Sequence, residues 1–278
     1  MGTNKRAIVM GASSGMGREV ARLLLAKGWH VGLAARRKNA LDELCNEYPQ
    51  LAVAEQVDVT KPDAEERLHA LIEQLGGMDV YVHMSGIGKQ NLELESDIEL
   101  STVDTNSLGF TRLVGAAFRY FRDKKRDEIG ENTTFEAKND AICLANNTKS
   151  TAAGGHIVAI SSIAGTKGLG PAPSYSATKA FQNTYLEALE QLSTNLHLGI
   201  SITDIRPGFV DTPLIEGSNF PLKLNAQSVA NQIVNAIEKK PHVRIIDWRY
   251  RLLVAGWQLL PRWVTEHTSE RKPCLLSS

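Results

Sequence analysis

Ala7-Ile8-Val9-Met10-Gly11-Ala12-Ser13-Ser14-Gly15-Met16-Gly17 is the stretch whose reading decides the fold. Ala7 to Met10 is an apolar run of strand length, and the glycine-rich turn follows it without a linker. Val20, Ala21, Leu23, Leu24 and Leu25 then repeat at helical spacing until Gly28, and Val31 to Ala35 is a second apolar run. Glycines alone are a weak signal. Between a strand and a helix, however, a turn of this kind lets backbone N–H groups and the helix N-terminus approach a pyrophosphate closely. Gly11, Ser13, Ser14, Gly15, Met16 and Gly17 are therefore candidate contacts for such a group.

Outward from this unit the alternation continues. Helices are predicted near 41–48, 63–75, 98–122 and 175–196, and strands near 51–57, 78–84, 157–161, 200–205 and 243–246. Strands alternating with helices imply right-handed crossovers and a doubly wound parallel sheet of Rossmann type, α/β in class, with helices on both faces. Ligands then belong at the C-terminal ends of the strands, where the glycine turn, Asp58, Ser85-Gly86, Ser162 and Pro207-Gly208 all fall. Residues 1–247 read as one domain and 248–278 as a helical extension.

Composition agrees with one large domain: 278 residues, 42% of them apolar, with 31 basic and 31 acidic side chains. Zero formal charge gives no global field that would recommend nucleic acid as a partner. Cys45, Cys143 and Cys274 are few and far apart, which fits a reducing compartment and neither a disulfide framework nor a metal site. The polar start, Met1 to Arg6, gives no signal-peptide pattern, so a cytoplasmic location is expected and the glycosylation-like Asn132-Thr133-Thr134 and Asn146-Asn147-Thr148 carry no weight. No apolar run reaches the roughly eighteen residues of a membrane span.

A second stretch carries the chemistry: Ser161-Ser162-Ile163-Ala164-Gly165, a Gly/Pro-rich loop, then Pro173-Ser174-Tyr175-Ser176-Ala177-Thr178-Lys179. Ser162 ends a strand. Tyr175 and Lys179, four apart, share a helix face. An ammonium beside a phenol lowers its pKa, which is how a tyrosine exchanges protons near neutral pH. Ser107, Tyr120 and Lys124 repeat the spacing. Between Ser107 and Tyr120 the helical period is unbroken, so at about 1.5 Å per residue these two lie roughly 20 Å apart and cannot converge.

Two regions break the rhythm. The polar insertion at about 123–155 reads as a helix extension plus a surface loop or disordered segment. Trp248 to Trp263 reads as an amphipathic helix, with Trp248, Leu252, Leu253, Ala255, Trp257, Leu259 and Leu260 as its apolar set among Arg249, Arg251 and Arg262. Its preferred role is to cover the active site or a subunit interface; peripheral contact with a membrane is the alternative.

With these residues in view, the chain over about 5–246 resembles the classical short-chain dehydrogenase/reductase family. The spacing of Gly11, Gly15 and Gly17 matches that branch rather than the extended epimerase branch. By resemblance, Ser162, Tyr175 and Lys179 are the catalytic triad. Asn106 is a helix-kinking fourth member whose carbonyl holds a water in the proton relay. Asp58, with Val59, lies beside the adenine ring, and Pro207-Gly208-Phe209-Val210-Asp211-Thr212 is similar to the segment that contacts the nicotinamide. One departure is His83-Met84-Ser85-Gly86 in place of Asn-Asn-Ala-Gly; there His83 is expected to be structural and to donate to a backbone carbonyl.

The resemblance implies an NADP(H)-dependent oxidoreductase that interconverts a carbonyl compound and a secondary alcohol, working as a homodimer or homotetramer, with Tyr175 as general acid/base. The alternatives are a non-catalytic NADP(H)-sensing regulator, and an epimerase or dehydratase that retains its cofactor. NADP(H) is preferred over NAD(H) because the end of the second strand carries Ala35, Arg36 and Arg37 where an NAD site places a carboxylate. A guanidinium binds a 2′-phosphate by charge-assisted hydrogen bonds that a carboxylate would repel. Substrate walls are expected from 86–94, 163–172 and 212–224, where Ile87, Leu92, Leu169, Leu214, Ile215, Phe220 and Leu222 favour an apolar carbonyl compound.

Overall fold

The computed structural model describes residues 5–129, 154–211 and 222–259. Its strands are β1 (Arg6–Met10), β2 (His30–Ala35), β3 (Ala52–Gln56), β4 (Val80–His83), β5 (His156–Ile160), β6 (Ser201–Arg206) and β7 (Val243–Ile245). They form one sheet in the order β3-β2-β1-β4-β5-β6-β7, every pair parallel. The order reverses between β1 and β4, so a crevice opens outside their C-terminal ends, where open α/β sheets bind ligands.

The helices are α1 (Gly15–Ala26), α2 (Lys38–Glu47), α3 (Ala64–Leu75), α4 (Ser96–Val103), α5 (Phe110–Ile129), α6 (Pro173–Asn195), α7 (Ala226–Lys239) and α8 (Trp248–Leu259). Strand residues alternate between two cores because successive side chains leave opposite faces of a sheet. Ala7 and Val9 pack with Val31, Leu33, Val158, Val20 of α1 and Ile233 of α7. Ile8 and Met10 pack with Tyr81, Ile157, Phe110 of α5 and Leu186 of α6. Both faces are covered, which is why the strands read as continuous apolar runs.

The helix expected over 98–122 is longer and interrupted. Between α4 and α5 the chain widens into a π-helical turn, Asp104–Gly109, and α5 continues to Ile129, the helix-extension part of the expected insertion. Residues 130–153 lie outside the described residues, as does the C-terminal segment from Leu260 onward. No described helix is long and apolar enough to cross a membrane.

In α8 most of the expected apolar set, Trp257 excepted, does not pack among the described residues. Trp248, Leu252, Leu253 and Leu259 are exposed, and the inward set is Tyr250, Val254 and, half-buried, Trp257. Tyr250 decides the orientation: its hydroxyl donates to the Leu222 carbonyl at 3.1 Å and accepts from the Phe209 N–H at 3.3 Å. A buried phenol needs such partners, so the helix turns this side, rather than its most apolar side, towards the loop after β6.

Candidate active site

The glycine turn is built for close backbone approach. Gly11 has a φ of +97°, and a Cβ there would meet the Met84 and Ser85 backbone at 2.9 Å. A Cβ on Gly17 would lie 2.1 Å from the Gly11 carbonyl oxygen, so α1 can cross this tightly over the turn only as glycine. Ser14 precedes α1 without capping it, and the first turn carries no acid. The positive end of α1 and its unpaired N–H groups therefore face the crevice, a fit for a dinucleotide pyrophosphate.

At the end of β2 the Arg37 guanidinium donates to Ser13 Oγ at 3.0 Å and to Ser14 Oγ at 2.5 Å. One arginine and two hydroxyls thus converge beside the glycine turn. Arg36 is exposed and lies nearer Asp58. Burial opposes ionisation of Asp58, but hydrogen bonds from the Thr60 N–H and hydroxyl, at 3.0 and 2.8 Å, outweigh it with help from Arg36 and hold its pKa down. Asp58 therefore also braces its own turn. Val59 is buried against Gly109, and its carbonyl accepts from Arg112 at 2.7 Å.

The catalytic candidates come together between β5, α6 and the π turn. Ser162 caps the short 3-10 turn Ile163–Thr166, its Oγ accepting from the Ala164 N–H at 3.0 Å. The same hydroxyl lies towards Tyr175, where it favours loss of the phenol proton. Pro173 begins α6, where a proline costs no hydrogen bond, and Glu99 of α4 accepts from the Ser174 N–H at 3.2 Å. A carboxylate at this helix start suits the macrodipole and sets the first turn that carries Tyr175. Gly88 packs so closely on the Tyr175 ring that a Cβ there would lie 2.4 Å from it. Glu99 and Gly88 have no signal in the sequence, because both act by meeting α6 in space.

Lys179 is 5% exposed, its Nζ 5.8 Å from the centre of the Tyr175 ring. It donates to the Ile160 carbonyl at 3.0 Å and to Gln182 Oε1 at 2.9 Å. Burial lowers its pKa from 10.5 to about 8, and Asp204 on β6 opposes that shift. Burial raises the Tyr175 pKa and the Ser162 hydroxyl offsets part of the rise, while the ammonium is drawn towards the two carbonyl groups.

Asn106 is fully buried in the π turn, and its side chain grips the next loop: Nδ2 donates to the Ile87 carbonyl at 2.7 Å and Oδ1 accepts from the Ile87 N–H at 2.9 Å. Its own main-chain carbonyl, expected to hold a water, accepts from Gln182 Nε2 at 2.8 Å. A Cβ on Gly86 would meet Asn106 Oδ1 at 3.3 Å and Lys179 Nζ at 3.6 Å, so Ser85-Gly86 passes directly over the pair. His83 lies behind them. Burial and then the Lys179 charge lower its pKa to about 3, so it is neutral. Its Nδ1 pairs with the Tyr81 hydroxyl at 3.0 Å, and a backbone hydrogen bond at Ser85 opposes the lowering of its pKa.

Beyond β6, the Pro207 carbonyl accepts from the Ile163 N–H at 3.2 Å. Gly208 lies flat on Tyr250, whose ring a Cβ would meet at 2.2 Å, and Val210 bridges to Leu224. Pro207 thus stands beside the Ser162 turn at the sheet edge, while Gly208 and Val210 meet Tyr250 and Leu224; Thr212, Leu214, Ile215 and Phe220 lie outside the described residues. Lys167 Nζ reaches the Trp257 carbonyl at 3.2 Å, so α8 ties both loops. An open cavity of about 540 Å³ lies between the 165–170 loop and the other side of α6; neither Tyr175 nor Lys179 lines it.

The model of the short chain dehydrogenase family matches residues 5–130 and 142–220. The chain belongs to the short-chain dehydrogenase family. Its members are oxidoreductases that use a nicotinamide dinucleotide. An uncharacterized oxidoreductase of Myxococcus xanthus is 33% identical over 225 residues, 78% of this chain and 77% of that protein. One from Staphylococcus aureus is 30% identical over 250 residues, covering 87% of this chain and 95% of its own. The same fold is seen in a short chain dehydrogenase from Burkholderia cenocepacia in complex with NADP, with a TM-score of 0.73, 16% identity, and coverage of 98% of this chain and 100% of that one. A short-chain dehydrogenase from Streptomyces avermitilis gives a TM-score of 0.72 at 23% identity, covering 96% of each chain.

Proposed function

We propose that this short-chain dehydrogenase is an NADP(H)-dependent oxidoreductase that interconverts a carbonyl compound and a secondary alcohol, with Tyr175 as general acid and base. The observation that carries this reading is the convergence of Ser162, Tyr175, Lys179 and Asn106 from three elements on one strand end, beside the glycine turn. A nicotinamide dinucleotide, when bound, supplies the hydride. Ser162 and Tyr175 hold the carbonyl oxygen by hydrogen bonds, and such preorganised donors contribute on the order of 3 kcal/mol. The raised pKa of Tyr175 keeps it protonated at neutral pH, the form that donates to the substrate oxygen during reduction. Lys179 brings the positive charge that steadies the phenolate left behind.

Arg37, Ser13 and Ser14 would hold a 2′-phosphate, and Ala35 presents no carboxylate to repel it. Gly11 to Gly17 and the start of α1 would hold the pyrophosphate, Asp58 and Val59 the adenine side, and Ser85, Gly86 and Pro207 to Val210 the nicotinamide side. Steady NADPH oxidation across a panel of apolar ketones and aldehydes tests the reading. Turnover with at least one of them is expected; none, with NADPH bound, overturns it.

A further inference from the structure

Gln182 is fully buried on α6, three residues beyond Lys179. It accepts from Lys179 Nζ at 2.9 Å and donates to the Asn106 carbonyl at 2.8 Å. The reverse orientation would set its NH₂ against an ammonium and its oxygen against a carbonyl, so its two neighbours fix the amide. A π turn leaves a main-chain carbonyl in need of a partner, and Gln182 is the partner of the one at Asn106. An ammonium has three N–H donors. The Ile160 carbonyl and Gln182 take two, which leaves one for a ligand or for Tyr175.

Other groups face Lys179 from each packed element. From β6 comes the Asp204 carboxylate, itself bonded to the Ser161 hydroxyl and to Arg206. His83 on β4 is neutral, and α6 presents Tyr175. Asp204 supplies charge, but it already has two partners of its own. A direct side-chain hydrogen bond to Lys179 comes from Gln182 on the same helix.

Resting on the reading of Lys179 given above, we propose that Gln182 is a positioning residue that ties Lys179 to the π turn and keeps it in its ammonium form beside Tyr175. The test is the pH titration of Lys179 in the full chain, followed by NMR on protein carrying labelled lysine side chains, for natural protein, Gln182→Met and Gln182→Glu. Methionine keeps the volume and removes the acceptor, so the midpoint should fall by about one pH unit; a carboxylate should raise it by at least about as much. The alkaline limb of kcat/KM for NADPH-dependent reduction should move with each midpoint.

Midpoints that stay where they are in the natural protein, whatever happens to Tm, would overturn the proposal, because a merely structural amide leaves them unmoved. Should Gln182→Met not fold, Gln182→Glu alone decides by the same criterion. If the midpoints move but no carbonyl compound is turned over by the natural chain, the oxidoreductase reading falls and the link stands. Turnover with fixed midpoints overturns the link and leaves the oxidoreductase reading in place.

Discussion

Tyr175 and Lys179 on α6 share their spacing with Tyr120 and Lys124 on α5, but the surroundings of the two pairs differ in every respect that matters for chemistry. Tyr120 accepts from the Met78 N–H at 3.1 Å, at the start of β4, and the exposed Lys124 stands 3.8 Å from Asp79. That pair is bound to the N-terminal edge of the sheet. Tyr175 meets Ser162 at the C-terminal edge, and its lysine is buried on two carbonyl groups. Four residues of helix put a phenol and an ammonium on one face; the sheet edge they meet, and the burial they find there, decide whether the phenol can work.

The largest break expected between the pairs is in turnover. Tyr175→Phe should lower kcat/KM by about 10²–10⁴-fold, the usual worth of a positioned proton donor. Tyr120→Phe should leave kcat/KM within twofold but lower stability by about 1 kcal/mol in urea unfolding, because the Met78 N–H loses its acceptor. The lysines sharpen the contrast. Lys179→Met should cost at least about 100-fold in kcat/KM, whereas Lys124→Met, which removes an exposed ion pair, should change stability by less than about 1 kcal/mol and activity hardly at all.

Cofactor choice tests the same sheet edge at β2. Ala35→Asp with Arg37→Ala should shift the NADPH-to-NADH ratio of kcat/KM by about 2–4 kcal/mol towards NADH, since a charge-assisted hydrogen bond is removed and a carboxylate that repels the 2′-phosphate is added. A smaller effect follows pH. Lys179 binds its proton less tightly folded, at about 8, than at its ordinary 10.5, so its cation weighs against folding fully below pH 8, and that cost fades as pH rises towards 10.5. On the proposed mechanism activity needs the cation and falls through the same window. The natural protein should therefore gain Tm relative to Lys179→Met while losing kcat/KM as pH is raised from 8 to 10.

Much of this site is legible in the sequence because its parts are local. Gly11 to Gly17 announce their turn by lying between apolar runs, and Tyr175 and Lys179 announce a helix face. Arg37 is legible as one of two arginines, but choosing it over Arg36 requires the hydroxyls of Ser13 and Ser14 to be seen in space. Gln182, Glu99, Gly88 and Tyr250 are not legible: each matters through one contact with an element distant in sequence. The packed face of α8 escapes a reading of the sequence for a related reason, since the hydroxyl of Tyr250 outweighs the number of apolar residues on the other side.

The most direct test separates binding from chemistry in the two tyrosine variants, with a carbonyl compound that the natural protein reduces. NADPH affinity is followed by fluorescence, and the hydride-transfer rate in a single turnover by loss of NADPH absorbance. Tyr175→Phe should bind NADPH within about twofold of the natural protein and lose hydride transfer by at least about 100-fold, with Tyr120→Phe unchanged in both. Equal loss of hydride transfer in both variants, each folded and each binding NADPH, would contradict the assignment of the reaction to the Tyr175 end of the sheet.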